Sequence, residues 1–123
     1  MQPSSSGCEI IADFYGIPKD ILENELYLNN VFESSLKVCG FTILEKTSHK
    51  FIEGGKGVTG LFLLSESHAT YHSYPEWGTI AINIFSCGNN APKAPFDIIN
   101  KNLSPTKAKI TVVNHHFTNH GKR

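Results

Sequence analysis

Two runs of strict alternation dominate this chain. From residue 68 to 74, His68, Thr70, His72 and Tyr74 fall on one side while Ala69, Tyr71 and Ser73 fall on the other. Pro75 stops the run, and residues 78–86 alternate again. Ile80, Ile82 and Ile84 point one way; Ala81, Asn83, Phe85 and Cys87 point the other. A period of two belongs to β-strands, whose successive side chains leave opposite faces. Strands with one apolar and one polar face suit an antiparallel sheet covered on a single side.

The remaining elements fit that sheet. Residues 8–15 read as a strand stopped by Gly16 and Pro18. Pro18 suits the first turn of a helix, and Asp20, Glu23 and Glu25 lie near its positive end. Ile21, Leu22, Leu26, Leu28, Phe32, Leu36 and Val38 recur at only roughly helical spacing, and the helix should end near Gly40. A second strand is expected over 41–51, then a flexible loop at 53–57, then the most apolar run, Val58 to Leu64. A short helix over 95–102 and a last strand over 109–117 complete the order. The expectation is one α+β domain over residues 1–123: a two-layer sandwich, with an antiparallel sheet and helices packed on one face. The length of 123 residues suits one core, not two.

Eleven Lys and Arg balance eleven Asp and Glu, so no excess positive charge exists to release counterions from nucleic acid or to hold an acidic membrane. No apolar run is long enough to span a bilayer, and the polar, Ser-rich Met1–Gly7 is unlike a signal peptide. Cys8, Cys39 and Cys87 are odd in number and widely spaced, which fits neither a disulfide framework nor a zinc site. A cytoplasmic protein with reduced thiols is expected.

The chemistry-bearing residues follow the apolar run. Gly57-Val58-Thr59-Gly60 precedes it; Glu66-Ser67-His68, His72-Ser73-Tyr74-Pro75-Glu76 and Phe85-Ser86-Cys87-Gly88 come after. Reactive side chains would thus emerge from strands, which hold geometry better than loops do. This set resembles the prokaryotic S-adenosylmethionine decarboxylase proenzymes, and the resemblance spans roughly residues 8–117. A Glu-Ser-His triplet alone carries no weight; the joint spacing of Ser67, His72 and Cys87 carries it.

The resemblance implies self-processing followed by decarboxylation. Ser67 would attack the carbonyl of Glu66 and turn the amide into an ester. His72 would take the Ser67 Cα proton, splitting the chain into a β chain, 1–66, and an α chain, 67–123. Ser67 would become a covalent pyruvoyl cofactor, an electron sink of the kind pyridoxal phosphate commonly supplies. The substrate amine would condense with its ketone. Cys87 would return a proton to the substrate carbon, and its ordinary pKa of about 8.5 suits an acid near neutral pH. The product, decarboxylated S-adenosylmethionine, would feed spermidine synthesis. The family also implies a homodimer with active sites near the subunit boundary.

Substrate contacts are expected from Phe51, Thr59, Tyr74 and Glu76: aromatic faces for adenine and sulfonium, a carboxylate for the ribose hydroxyls. Phe51 and Tyr74 could equally be core, and Thr59 could fill a strand. Taken singly, Ser67 would be an ordinary strand-end serine and Cys87 a small buried hydrophobe. The role of His68 stays open. His115, His116 and His120 read as a solvated end rather than a metal site. Three departures from the family pattern bear on substrate: Tyr74 stands where Trp is usual, Thr59 where Ser is usual, and the loop with Gly54, Gly55 and Lys56 is longer than in the bacterial forms. A pyruvoyl-dependent ornithine or arginine decarboxylase is therefore the alternative. A catalytically silent partner subunit is a third reading, set against the retention of Ser67, His72 and Cys87.

Overall fold

The alternating segments become strands of one sheet. The structure, a computed structural model, describes residues 6–87 and 90–118. Its elements are β1 (Ser6–Tyr15), α1 (Lys19–Leu22), α2 (Glu25–Val38), β2 (Ile43–Lys50), β3 (Val58–Leu64), β4 (Ser67–Tyr74), a 3-10 turn (Pro75–Trp77), β5 (Thr79–Cys87), α3 (Lys93–Leu103) and β6 (Lys107–His116). The strand order is β2-β3-β4-β5-β1-β6, and every neighbouring pair is antiparallel.

The helices cover one face of the sheet. Phe32 of α2 stacks on Tyr71 of β4 at 4.6 Å, and Phe96 of α3 meets Phe14 of β1 at 5.5 Å. Ile10, Ala12, Phe62, Leu64, Ala69, Ile80, Ile82 and Ile84 are buried on that side. Each buried Ile, Leu or Phe among them contributes roughly 1.5–3 kcal/mol. Gly60 makes the aromatic stack possible. It pairs across the ladder with Tyr71, and a Cβ there would lie 2.1 Å from the Tyr71 ring.

The helix expected over 18–40 is broken in two. Asn24 has extended backbone, and its side chain accepts a 3.0 Å hydrogen bond from the Tyr27 N–H, capping α2. A fresh N-terminus at Asn24 shifts the helical phase, which is why the apolar spacing is irregular there. The last helix starts earlier than expected, at Lys93, and the last strand ends one residue sooner, at His116. Edge strands β2 and β6 are largely exposed and carry Lys46, Lys50, Lys107 and Lys109, charges that discourage edge-to-edge pairing.

His115 does not belong to a loose end. It sits in β6 opposite Gly7 and bonds to Glu9 at 2.9 Å. His120 and Gly88 lie outside the described residues. No helix among the described residues is long and apolar enough to cross a membrane.

Candidate active site

The candidate residues divide between the two faces of the sheet: Thr59, His72 and Cys87 lie on the face turned away from the helices, Ser67 and Ser86 on the buried face. A two-residue link, Ser65-Glu66, joins β3 to β4, with Leu64 paired to Ser67. Glu66 takes a left-handed φ of 58° without being glycine. Such a residue costs roughly 1–3 kcal/mol, held in place by the flanking ladder. The peptide bond that follows it is the one between Glu66 and Ser67.

Three groups converge on that bond. The Cys87 thiol donates to the Glu66 carbonyl oxygen at 3.0 Å. The Ser67 hydroxyl, 8% exposed, faces the helix side and donates to the Ser86 hydroxyl at 3.4 Å. Ser86 in turn donates to the Asn90 carbonyl, so its oxygen stays available as an acceptor for Ser67.

A second group of functional side chains gathers at the other end of β3 and β4. Thr59 and His72 are cross-strand partners, and the Thr59 hydroxyl lies 2.9 Å from His72 Nδ1. They line a cavity of about 420 Å³ together with Phe51, Glu53, Tyr74 and Glu76. The loop over 53–57 packs directly on Glu76: a Cβ on Gly55 would lie 2.1 Å from its carboxylate. Trp77 stacks on Tyr74 at 5.6 Å and is 71% exposed, extending the aromatic wall outward.

The four residues expected to touch substrate therefore line one cavity, and His72 shares it. Ser67, Glu66 and Cys87 meet elsewhere. His72 lies five residues further along β4 than Ser67, on the opposite face, a displacement of roughly 16 Å. Within one chain, His72 is not brought to the Ser67 Cα.

Beside the first group a polar network runs across the sheet from β4 to β6, one that the sequence does not reveal. His68 Nε2 lies 2.9 Å from Asn83 Oδ1, Asn83 Nδ2 donates to Glu9 at 2.6 Å, and Glu9 takes His115 Nε2 at 2.9 Å. The hydrogen bonds from Asn83 and then His115 hold the Glu9 carboxyl below its ordinary range. Alternation alone puts His68 and Asn83 on polar faces, but nothing local pairs them. Ser86 was also missed, although it sits inside the Phe85-Ser86-Cys87-Gly88 motif.

Hydroxyl, thiol and imidazole groups held at fixed distances on adjacent strands of a half-covered sheet are the equipment of an enzyme of the α+β class. The chain belongs to the S-adenosylmethionine decarboxylase family, whose model matches residues 8–116. Among its relatives is the S-adenosylmethionine decarboxylase proenzyme of Thermotoga petrophila, 36% identical over 113 residues, covering 90% of this chain and 83% of that one. The proenzyme of the same description from Methanococcus maripaludis is 33% identical over 105 residues, covering 85% and 84%. The fold matches the crystal structure of the adenosylmethionine decarboxylase from Aquifex aeolicus with a TM-score of 0.84, at 24% identity and 98% coverage of both chains.

Proposed function

We propose that this protein is a proenzyme that cleaves itself between Glu66 and Ser67 and then decarboxylates S-adenosylmethionine. The observation that carries this reading is the strained Glu66, its carbonyl held by Cys87, directly before a buried serine hydroxyl.

Ser67 Oγ adds to the Glu66 carbonyl carbon, and its proton, passed through the Ser86 hydroxyl beside it, ends on the departing Ser67 nitrogen. The Cys87 thiol stabilises the oxygen as it gains negative charge. The C–N bond breaks, leaving an ester to Glu66 and a free amine on Ser67. Loss of the Ser67 Cα proton then expels the Glu66 carboxylate and leaves dehydroalanine. Water hydrolyses that residue to pyruvoyl with release of ammonia. The products are residues 1–66 and residues 67–123, the second capped by the pyruvoyl group.

The residues present fit such a group: its two neighbours across the ladder are Ser86 and Leu64, and Cys87 stands beside the bond that is lost. When formed, the pyruvoyl supplies an electron sink for the carbanion left by departing carbon dioxide. Cys87 is placed to hold the proton that returns to the substrate carbon. The cavity of Phe51, Thr59, His72, Tyr74 and Glu76 receives the nucleoside: the aromatic rings take the adenine face and Glu76 accepts from the ribose hydroxyls.

The two groups of residues on one chain are too far apart to serve one small substrate. A homodimer resolves this. A second copy, packed through its own open face and reversed by a two-fold axis, lays its Thr59 and His72 over Ser67 and Cys87. The same open face exposes Ile11, Leu61, Leu63 and Tyr74, apolar surface suited to such contact. In this arrangement the copy's His72 takes the Ser67 Cα proton. The three free cysteines support a reducing, cytoplasmic setting.

Intact mass and carbon dioxide release test the reading together. The purified 13.6 kDa chain should resolve into two species, and Ser67→Ala should remain whole. S-adenosylmethionine, ornithine and arginine are then offered separately. Carbon dioxide from S-adenosylmethionine alone is the expected result; an undivided wild-type chain, or release from a basic amino acid instead, overturns it.

A further inference from the structure

Self-cleavage creates a new chain start at the position where the cofactor forms. Before cleavage, the Ser65-Glu66 link ties the beginning of β4 to β3. Afterwards that link is gone, and chain ends fray unless something holds them. The pyruvoyl group is joined to the protein only through the amide nitrogen of His68.

We propose that His68, Asn83, Glu9 and His115 form a clamp that holds this new terminus, with His68 as a positioning residue for the cofactor. The bonding pattern has one consistent reading. The ionised Glu9 carboxylate only accepts, so Asn83 must turn its Nδ2 toward Glu9, at 2.6 Å. Its Oδ1 then faces His68, whose Nε2 must donate at 2.9 Å. His115 closes the far side of Glu9 at 2.9 Å. The aromatic contacts repeat the same path. The His68 ring stacks on Phe85 at 5.7 Å and 19°, and Phe85 meets His115 edge-on at 5.2 Å.

The clamp draws on four strands. His68 lies on β4, Asn83 and Phe85 on β5, Glu9 on β1 and His115 on β6. The cut falls between β3 and β4, so every member except His68 is anchored on strands the cut leaves untouched. His68 itself stays in register with Phe85. The clamp therefore survives cleavage, while the link across the hairpin tip does not. A pyruvoyl carbonyl held still relative to Cys87 is a condition for proton return, because misplacement by an ångström is costly to rate.

The clamp presupposes self-cleavage, and its test separates the two. His68 is exposed in the single chain and lies outside the core, so replacing it leaves the core intact. Wild-type, His68→Ala, His68→Gln and Asn83→Asp proteins are purified as full chains and allowed to process. Intact mass scores splitting and pyruvoyl content, light scattering scores the dimer, and steady-state kinetics with S-adenosylmethionine gives kcat and KM. All four proteins should split and dimerise alike. His68→Ala should lose about tenfold or more in kcat with KM within about twofold, and Asn83→Asp, which cannot donate to Glu9, should follow it. His68→Gln keeps a donor at the same place and should stay within about threefold of wild type. Amide hydrogen exchange at 69 and 70 in the processed enzyme should quicken in His68→Ala and remain slow in His68→Gln. Wild-type kcat in His68→Ala, equal losses in Ala and Gln variants, or losses that track dissociation of the dimer each overturn the clamp. An undivided wild-type chain overturns self-cleavage itself, and the clamp with it.

Discussion

The Cys87 sulfur sits 3.0 Å from the carbonyl oxygen of Glu66, 21 residues earlier in the chain. The hydrogen bond couples two features that β5 and the β3–β4 hairpin supply separately: a thiol at a strand end and a carbonyl on a left-handed residue. In the proposed reaction it assigns Cys87 a part in chain cleavage as well as in substrate protonation.

Cys87 variants should therefore separate the two reactions. Cys87→Ala removes the donor to the scissile carbonyl and should slow splitting by about tenfold, a weaker effect than the loss of a full oxyanion-hole N–H. Decarboxylation should fall further, since no acid then remains at that place. Cys87→Ser retains a donor and should split at close to the wild-type rate. Splitting is followed by denaturing gel or intact mass over hours, and turnover by carbon dioxide release from the fully processed fraction.

The distance between Ser67 and His72 makes a prediction about mixtures. Ser67→Ala and His72→Ala proteins are each expected to be inactive. Mixed and allowed to exchange subunits before processing, they should form dimers with one complete site, Ser67 from one chain and His72 from the other. Random exchange limits the recovery to about one quarter of wild-type activity. No recovery on co-expression would place both residues in the same chain's site.

Gly60→Ala should destabilise the fold without touching a reactive group. The new methyl would lie 2.1 Å from the Tyr71 ring, which cannot retreat because Phe32 stacks on it at 4.6 Å and its hydroxyl bonds Asn29 at 2.5 Å. Overpacking of this kind costs about 1–3 kcal/mol. Thermal unfolding of the unprocessed Ser67→Ala chain, with and without Gly60→Ala, measures the cost as a Tm lowered by several degrees.

Acid sensitivity should trace in part to Glu9 and Glu33. Asn83 and His115 hold Glu9, and Lys37 and Lys46 hold Glu33, below the ordinary carboxyl value of 4.5. A carboxyl with a lower folded than unfolded pKa binds fewer protons when folded. Its stabilisation is complete above about 4.5 and is lost as the pH falls through the folded value. Glu9→Gln should lower Tm at pH 7, and the difference from wild type should shrink as the pH falls below 4.5 and through the lowered folded value. A Tm difference that stays constant across that range would assign the effect to packing.

Much of this protein was legible in its residues. Alternation about Pro75 defined β4 and β5 and sorted their faces, because a strand's period is local and fixed by backbone geometry. Phe51, Thr59, Tyr74 and Glu76, the residues expected to contact substrate, line one cavity. The break between α1 and α2 at Asn24 was not legible, because the apolar run continues across it.

The order of the strands was not legible. Glu9 near the start of the chain, Asn83 in the middle and His115 near the end meet only because β1 lies between β5 and β6. The left-handed φ of Glu66 is likewise set by the register of β3 on β4, not by any preference of glutamate. Local sequence fixes period, caps and the identity of reactive groups, since those depend on near neighbours. Pairing between distant segments is decided by the packing of the whole core, so the separation of Ser67 from His72 and the network around His68 emerge only with the tertiary structure.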